Sequence, residues 1–300
     1  RQFEFLPQRD SIAILLYHRK TRRFVVLRQF RPAVFVSRVL QLPHNNGKTV
    51  GDIDWINCKE DRALGCTLEL CSGYVEDRNK HLDDIALSVI EDEVGFRVDK
   101  HYLIHIESFL TGSTDSGAAC HLYYAELDFA EIISEGKVAR RAHVQKIWLP
   151  VGSAEDLVNR RKDPLMPSTH YYALIWWFKT MHYSMSRPTI DRSPRFWKMH
   201  DCSMNAFRAR MKREGAVQGK WTCRQSEEKG RYPIMRMKYT VKLSNVSQMG
   251  MKQSQSIVIR PDTVSILIRD VDASAVVMLR RFRPAALVGR AIALYENEAS

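Results

Sequence analysis

The sequence predicts an α/β protein, and three observations predict it. The stretch from Gly73 to Phe96, GYVEDRNKHLDDIALSVIEDEVGF, runs through a polar loop into a helix with apolar residues at Leu82, Ile85, Ala86, Val89 and Ile90, and it closes at Gly95. The segments DSIAILLY and RRFVVLRQF, joined by a short turn, alternate as two half-buried strands do. This strand pair then recurs. DSIAILLYHRKTRRFVVLRQFRPAVFVSR from Asp10 realigns without a gap on DTVSILIRDVDASAVVMLRRFRPAALVGR from Asp262, an offset of 252, so that Arg31, Pro32 and Ala33 return as Arg283, Pro284 and Ala285. Strand alternation alone does not reproduce F-R-P-A in register. At 300 residues the chain also exceeds the usual domain size of about 100–200, which makes two domains the prior.

The helix carries the chemistry. Positions 89, 92 and 93 stand at i, i+3 and i+4 and share one face. Three carboxylates in that pattern can reach one hard dication, which takes oxygen ligands and bridges protein to phosphate. Here the first position is Val89, so the face keeps Asp92 and Glu93 alone. Glu91 does not repair the gap, because it lies about 100° round the helix from its neighbours. The alternative is an ordinary amphipathic helix whose acidic residues face water.

Aligned back from Gly95, this stretch resembles a Nudix box, G-x5-E-x7-R-E-U-x-E-E-x-G-U, with Asp92 and Glu93 as the E-E pair, Ile90 as U, and Ser88 and Val89 in place of R-E. The surroundings resemble the UDP-sugar and ADP-ribose pyrophosphatase branch of that family up to about Tyr183. The matching pieces are QFRPA at Gln29–Ala33, LELCSGYVE at the entry to the box, FLTGSTDSGAACHLYYAEL, KIWLP and THYYALIWWFKT. The resemblance implies an α/β/α sandwich of mixed sheet between helices over 1–183, with the degenerate box at 73–96. It implies Mg2+ held by Asp92, Glu93 and the carbonyl of Ser72, and substrate contacts from Arg31, Gly112 and Ser113. It also implies hydrolysis of a nucleoside diphosphate sugar, such as UDP-glucose to UMP and glucose 1-phosphate. Arg31 reads equally as a structural residue bracing a strand end through a carboxylate, and Gly112-Ser113 is also common turn chemistry. A second departure concerns the glutamate that activates water in this branch. The equivalent stretch, KVARRAHVQKIWLP, has Ala142 and Gln145 where acids are expected, beside Arg140, Arg141 and His143. Neither alanine nor a glutamine amide titrates near neutral pH, so neither serves as a general base. The first domain is therefore expected to be an impaired hydrolase.

The net charge of +12 is concentrated between the repeats. Ser184–Lys238 holds 14 Lys and Arg against 5 Asp and Glu, a balance of +9. Such a segment can hold an acidic partner or nucleic acid, but no nucleic-acid module can be named in it, and a solvated linker over 184–233 is the favoured reading. MNAFRARMKRE within it has the periodicity of one short helix. From Ile234 to Ser300 the pattern turns to strands (IMRMKYTVKL, then SQSIVI), read as the start of a second Nudix-like domain. By the same offset its box would begin near 325, beyond Ser300, and with no initiator Met the chain reads as a fragment. Six cysteines form no C-x-x-C pair and no zinc spacing, which fits reduced thiols of a cytoplasmic protein. No apolar run approaches the ~20 residues of a membrane span. His81, at the mouth of the box helix, reads as a surface residue rather than a ligand.

Three functions follow: a UDP-sugar diphosphatase; a pseudoenzyme that binds a nucleotide sugar or stabilises a partner domain; and an acidic-surface binder working through the linker. Related enzymes commonly pair through their N-terminal sheets, so a dimer, or an intrachain pseudo-dimer of the tandem copies, is also expected.

Overall fold

The structure is a computed structural model. It describes residues 8–111, 116–141, 143–160 and 166–182, and, largely as backbone, 218–225, 234–241, 251–258, 266–270 and 275–277.

β1 (Ser11–His18) and β2 (Arg23–Phe30) pair antiparallel, with Leu16 opposite Val25 and His18 opposite Arg23. Ile12–His18 and Phe24–Phe30 are buried throughout, so the pair is covered on both faces rather than half-buried as the sequence predicts. RPAVF, for which the sequence reading named no helix, opens helix α1 (Pro32–Leu40). Proline suits the first helical position, where no N–H is needed and its fixed φ is already helical, and Phe35, Val36 and Val39 bury one face.

β3 (Cys66–Glu69) and β4 (Cys71–Tyr74) lead into the box helix α2 (Leu82–Val94). Two short strands, β5 (Phe96–Arg97) and β8 (Glu131–Ile132), pair beside it. Between them run β6 (Leu103–Leu110) and β7 (Ala119–Glu126). β9 (Val144–Pro150) is followed by α3 (Val151–Arg160) and α4 (Ser168–Thr180). The seven-stranded sheet runs β3-β2-β1-β7-β6, with β4 also on β1 and β9 also on β2. Its β1–β7 pair is parallel and the other pairs are antiparallel, which makes the sheet mixed.

Strand alternation divides the core in two. Ile12, Ile14 and Leu16 pack under α2 with Ala86, Ile90 and Val94. Ala13, Leu15 and Tyr17 point the other way, toward α3 and α4. Trp177 of α4, 1% exposed, closes that second face with its ring 4.8 Å from Tyr17 and 4.9 Å from Phe24. The architecture is the helix–sheet–helix sandwich that the sequence implied.

Two glycines fix how α2 meets the rest. Gly95 ends the helix at φ +81, the left-handed cap that favours glycine. A side chain there would strike the Ser134 carbonyl, and one at Gly136 (φ +75) would strike the carbonyl of Glu93. Backbone therefore lies directly on backbone between the helix end and the segment 133–141, joined by the Ile133 N–H to the Gly95 carbonyl at 3.0 Å.

Farther along, β10 (Gln218–Gln225), β11 (Ile234–Val241) and β12 (Met251–Val258) form an antiparallel sheet. The strand at Gln218–Gln225 corrects the reading of 184–233 as linker throughout: QGKWTCRQ alternates and finds a partner in β11. The short helix expected at MNAFRARMKRE lies outside the described residues. β13 (Ile268–Asp270) pairs with β14 (Ala275–Val277) so that Ile268 faces Val277 and Asp270 faces Ala275. Shifted by the 252 of the sequence repeat, these are the pairings of Leu16 with Val25 and His18 with Arg23.

Gly47 shares the φ of +81 but has open space where a side chain would go. Gly47→Ala should then cost roughly the 1–2 kcal/mol of a left-handed alanine, and Gly95→Ala clearly more. Urea unfolding of the two variants checks this; equal losses would mean that the helix end can move off Ser134.

Candidate active site

One face of α2 along its length, β4, the end of β2 and residues Lys137 and Arg141 line a cleft of about 960 Å³. Four residues expected to act together do meet there: Arg31, Ser72, Asp92 and Glu93 all line it. Gly112 and Ser113 lie outside the described residues, as does Ala142. Ser88 and Val89 also face the cleft, and Val89 explains the box glycine. A side chain at Gly73 would stand 2.7 Å from a Val89 methyl, so α2 lies close against β4.

Neither carboxylate of the box is bare. Lys137 Nζ donates to Asp92 Oδ2 at 2.8 Å, both side chains being about half exposed. Arg141 grips Glu93 with two nitrogens, Nη1 at 2.8 Å and Nη2 at 3.0 Å, and the Glu93 side chain is 14% exposed. Both cations come from the turn at Lys137–Arg140 and the residue after it, which the two glycine contacts hold against α2. Glu91 turns away, as expected, to Arg97. Lys146 donates to the Val94 carbonyl at 3.2 Å and so satisfies the helix end.

Gln145 is not in a loop. It is buried in β9, accepts from Arg28 Nη1 at 3.3 Å and does not line the cleft. The absence of a base at 145 is therefore a matter of strand placement as well as residue type. What the loop does contribute is positive charge.

Arg31 braces the strand end through a carboxylate, one of the two roles weighed for it. Its Nε and Nη2 donate to the two oxygens of Glu69 at 2.8 and 2.7 Å, and Thr67 Oγ1 adds a third donor at 2.6 Å. Burial pushes the Glu69 carboxyl up, but the Arg31 hydrogen bonds and charge outweigh it and leave the group below its ordinary value. The Arg31 side chain, 45% exposed, still forms part of the cleft wall. His170 of α4 reaches the same cluster, its Nδ1 accepting the Leu70 N–H at 3.2 Å. Burial brings its pKa to about 4, against the pull of Glu69 and with the push of Arg31. His143 is likewise brought to about 4 by burial, with Arg141 and Arg31 adding to the effect. His81 is the exposed residue preceding α2, as expected.

The sequence reading missed Glu69, His170, Lys137 and Arg141 as parts of this site. Glu69, within the apolar LELCSG, is a buried acid that demands a cation, which was the available signal. For Lys137 and Arg141 the signal was a basic run in the loop that should have been acidic.

The resemblance of α2 to a Nudix box implies a divalent ion, and the residues present do not fit one. The first box position is a valine, the other two are each held by a side-chain cation, and among the described residues no three His, Cys, Asp or Glu groups come together to hold a metal. Among the described residues, no helix is long and apolar enough to cross a membrane, and Cys58, Cys71 and Cys120 are in no disulfide.

No family model matches the chain. It is similar to uridine diphosphate glucose pyrophosphatase NUDT14 of Bos taurus, 26% identical over 184 residues that cover 59% of this chain and 82% of that protein. The Mus musculus protein of the same name is 24% identical over 195 residues with the same coverage. Similar solved structures include a MutT from work on Aliivibrio salmonicida and Vibrio cholerae, with TM-score 0.29 and 13% identity over 49% of this chain and 84% of that one. A MutT/nudix family protein from Enterococcus faecalis has TM-score 0.33 and 15% identity over 63% and 68%.

A pH effect follows from the two histidines. Their folded pKa of about 4 lies below the unfolded 6.5, so the unfolded chain takes up protons first as pH falls. The stability is whole above pH 6.5 and is lost between there and about 4, by roughly 3 kcal/mol per histidine. Glu69, held below its ordinary value, extends the loss to lower pH still. Denaturant unfolding from pH 7 to 4 should show this slope, and His170→Asn should flatten it; a flat profile in the parent chain would refute the burial argument.

Proposed function

We propose that this chain, which has the Nudix fold and resembles the UDP-glucose pyrophosphatases, holds a nucleoside diphosphate sugar in the cleft between α2 and β2. Similarity to those proteins supports pyrophosphohydrolase chemistry as the class of activity, and UDP-glucose is the substrate proposed within it. One observation carries the reading: Arg31, Ser72 and the adjacent pair Asp92 and Glu93, three places far apart in sequence, face one cavity of about 960 Å³. That size suits a ligand of several hundred Å³.

In this cleft the residues favour binding over metal-assisted cleavage. Glu69, itself held by Thr67, fixes the plane of the Arg31 guanidinium, a planar cation on the cleft wall of the kind that suits a phosphate. Lys80 and Lys137 add positive charge along a wall that also carries Glu76, Asp77 and Asp84, and buried His170 stays neutral above about pH 4, behind Glu69. In competent members of the family a bound dication neutralises charge on the leaving phosphate. Asp92 and Glu93 are held by their cations instead. The first domain is accordingly read as a nucleotide-sugar-binding module impaired in hydrolysis.

A second reading is hydrolysis of the same ligand by this cleft. The name of the relatives favours it, as does the half-exposed Lys137–Asp92 pair, because exposed ion pairs are weak and exchange readily.

Calorimetric titration of the 300-residue chain with UDP-glucose in EDTA, with phosphorus NMR after Mg2+ addition, tests the two readings. Saturable binding without release of UMP is expected. Arg31→Lys, which keeps the charge but not the fork, should weaken binding by roughly tenfold. Release of UMP and glucose 1-phosphate would favour the second reading, and absence of binding would end the proposal.

The matching register of the β1–β2 and β13–β14 pairs supports a further part of the same reading, in which two related units associate within one chain through their N-terminal sheets. Small-angle scattering should then show one compact particle. Two separated lobes would refute it.

A further inference from the structure

The departures from the box are coordinated in space. Val89 removes one carboxylate from the metal-facing side of α2 and packs on Gly73. One turn further, Asp92 and Glu93 keep their acids, and each meets a cation 2.8 Å away. Both cations belong to one short stretch, residues 137–141, and that stretch is placed by backbone contacts that do not involve the ion pairs. Gly136 lies on the Glu93 carbonyl, Gly95 lies on the Ser134 carbonyl, and Ile133 N–H bonds to Gly95. The loop thus arrives at the acidic end of the helix already carrying its charges.

The local charge then sums to zero. Asp92 and Glu93 contribute two negative charges, and Lys137 and Arg141 two positive ones. Arg141 is the stronger partner, because its fork satisfies both oxygens of a carboxylate that is largely shielded from solvent. A dication entering here must displace that fork and approach two fixed positive charges, with two carboxylates to ligate it where the fold elsewhere offers three.

We propose that Lys137 and Arg141 are built-in counter-ions that occupy the divalent-metal seat of this fold, so that the acidic end of α2 is charge-balanced without a metal. This rests on the fold and the ion pairs and not on the identity of the ligand. A chain that binds no UDP-glucose would leave it standing.

The test is a Mn2+ titration of the 300-residue chain, following loss of the free-ion electron paramagnetic resonance signal. The parent chain should take up no Mn2+ in the cleft at metal concentrations on the order of 1 mM, the weak end of protein cation sites. Val89→Glu alone should change nothing, because the counter-ions remain. Val89→Glu combined with Lys137→Ala and Arg141→Ala should take up one ion, at least about tenfold more tightly than the parent. Circular dichroism checks that the triple variant folds, and Val89→Glu with Arg141→Ala is the milder substitute if it does not. Two outcomes overturn the proposal: Mn2+ uptake by the parent that Asp92→Asn or Glu93→Gln abolishes, or a folded variant lacking the counter-ions that still takes up none.

Discussion

The site depends on the backbone-to-backbone contact between the end of α2 and the segment 133–141. Gly95 and Gly136, both at positive φ, leave no room for a side chain between the two segments. This closeness decides which groups can meet the acidic face of the helix. With Gly136 against the Glu93 carbonyl, residues 137–141 have little freedom, and their side chains reach the acids next to them. The Glu93–Arg141 pair is therefore a consequence of packing before it is a contribution to stability. Its half-shielded fork is the kind of ion pair that holds geometry, whereas the exposed Lys137–Asp92 pair adds little.

On the opposite wall, Arg31 and Glu69 answer a different need. Glu69 is almost fully buried, and a buried carboxylate without partners is costly. Arg31 and Thr67 supply three short hydrogen bonds, and the result fixes the end of β2 just where Pro32 turns the chain into α1. One side chain thereby serves structure and cleft together. The two roles weighed for Arg31 do not exclude each other: the carboxylate that braces it also orients the guanidinium along the wall.

Taken together, the walls enclose a cleft in which the two acids at the end of α2 are each balanced by a cation of the same chain. The β1–β2 pair and its counterpart at β13–β14 share one register, so the strand chemistry that builds the first wall is present twice in the chain.

The sequence by itself determined the elements with strong local signals. The helix at Leu82–Val94 follows from its apolar spacing and from Gly95, which a left-handed cap requires. The strand pair, its repeat and the valine that removes a carboxylate were legible for the same reason, since each depends on neighbours in sequence. The helix after Pro32, the placement of Gln145 in β9 and the strand at Gln218–Gln225 were not, because strand or loop is settled there by what each segment packs or pairs with. The ion pairs were also beyond reach. Arg31 and Glu69 lie 38 residues apart, and Arg141 and Glu93 lie 48 apart, so only the tertiary fold could choose these partners for their charges.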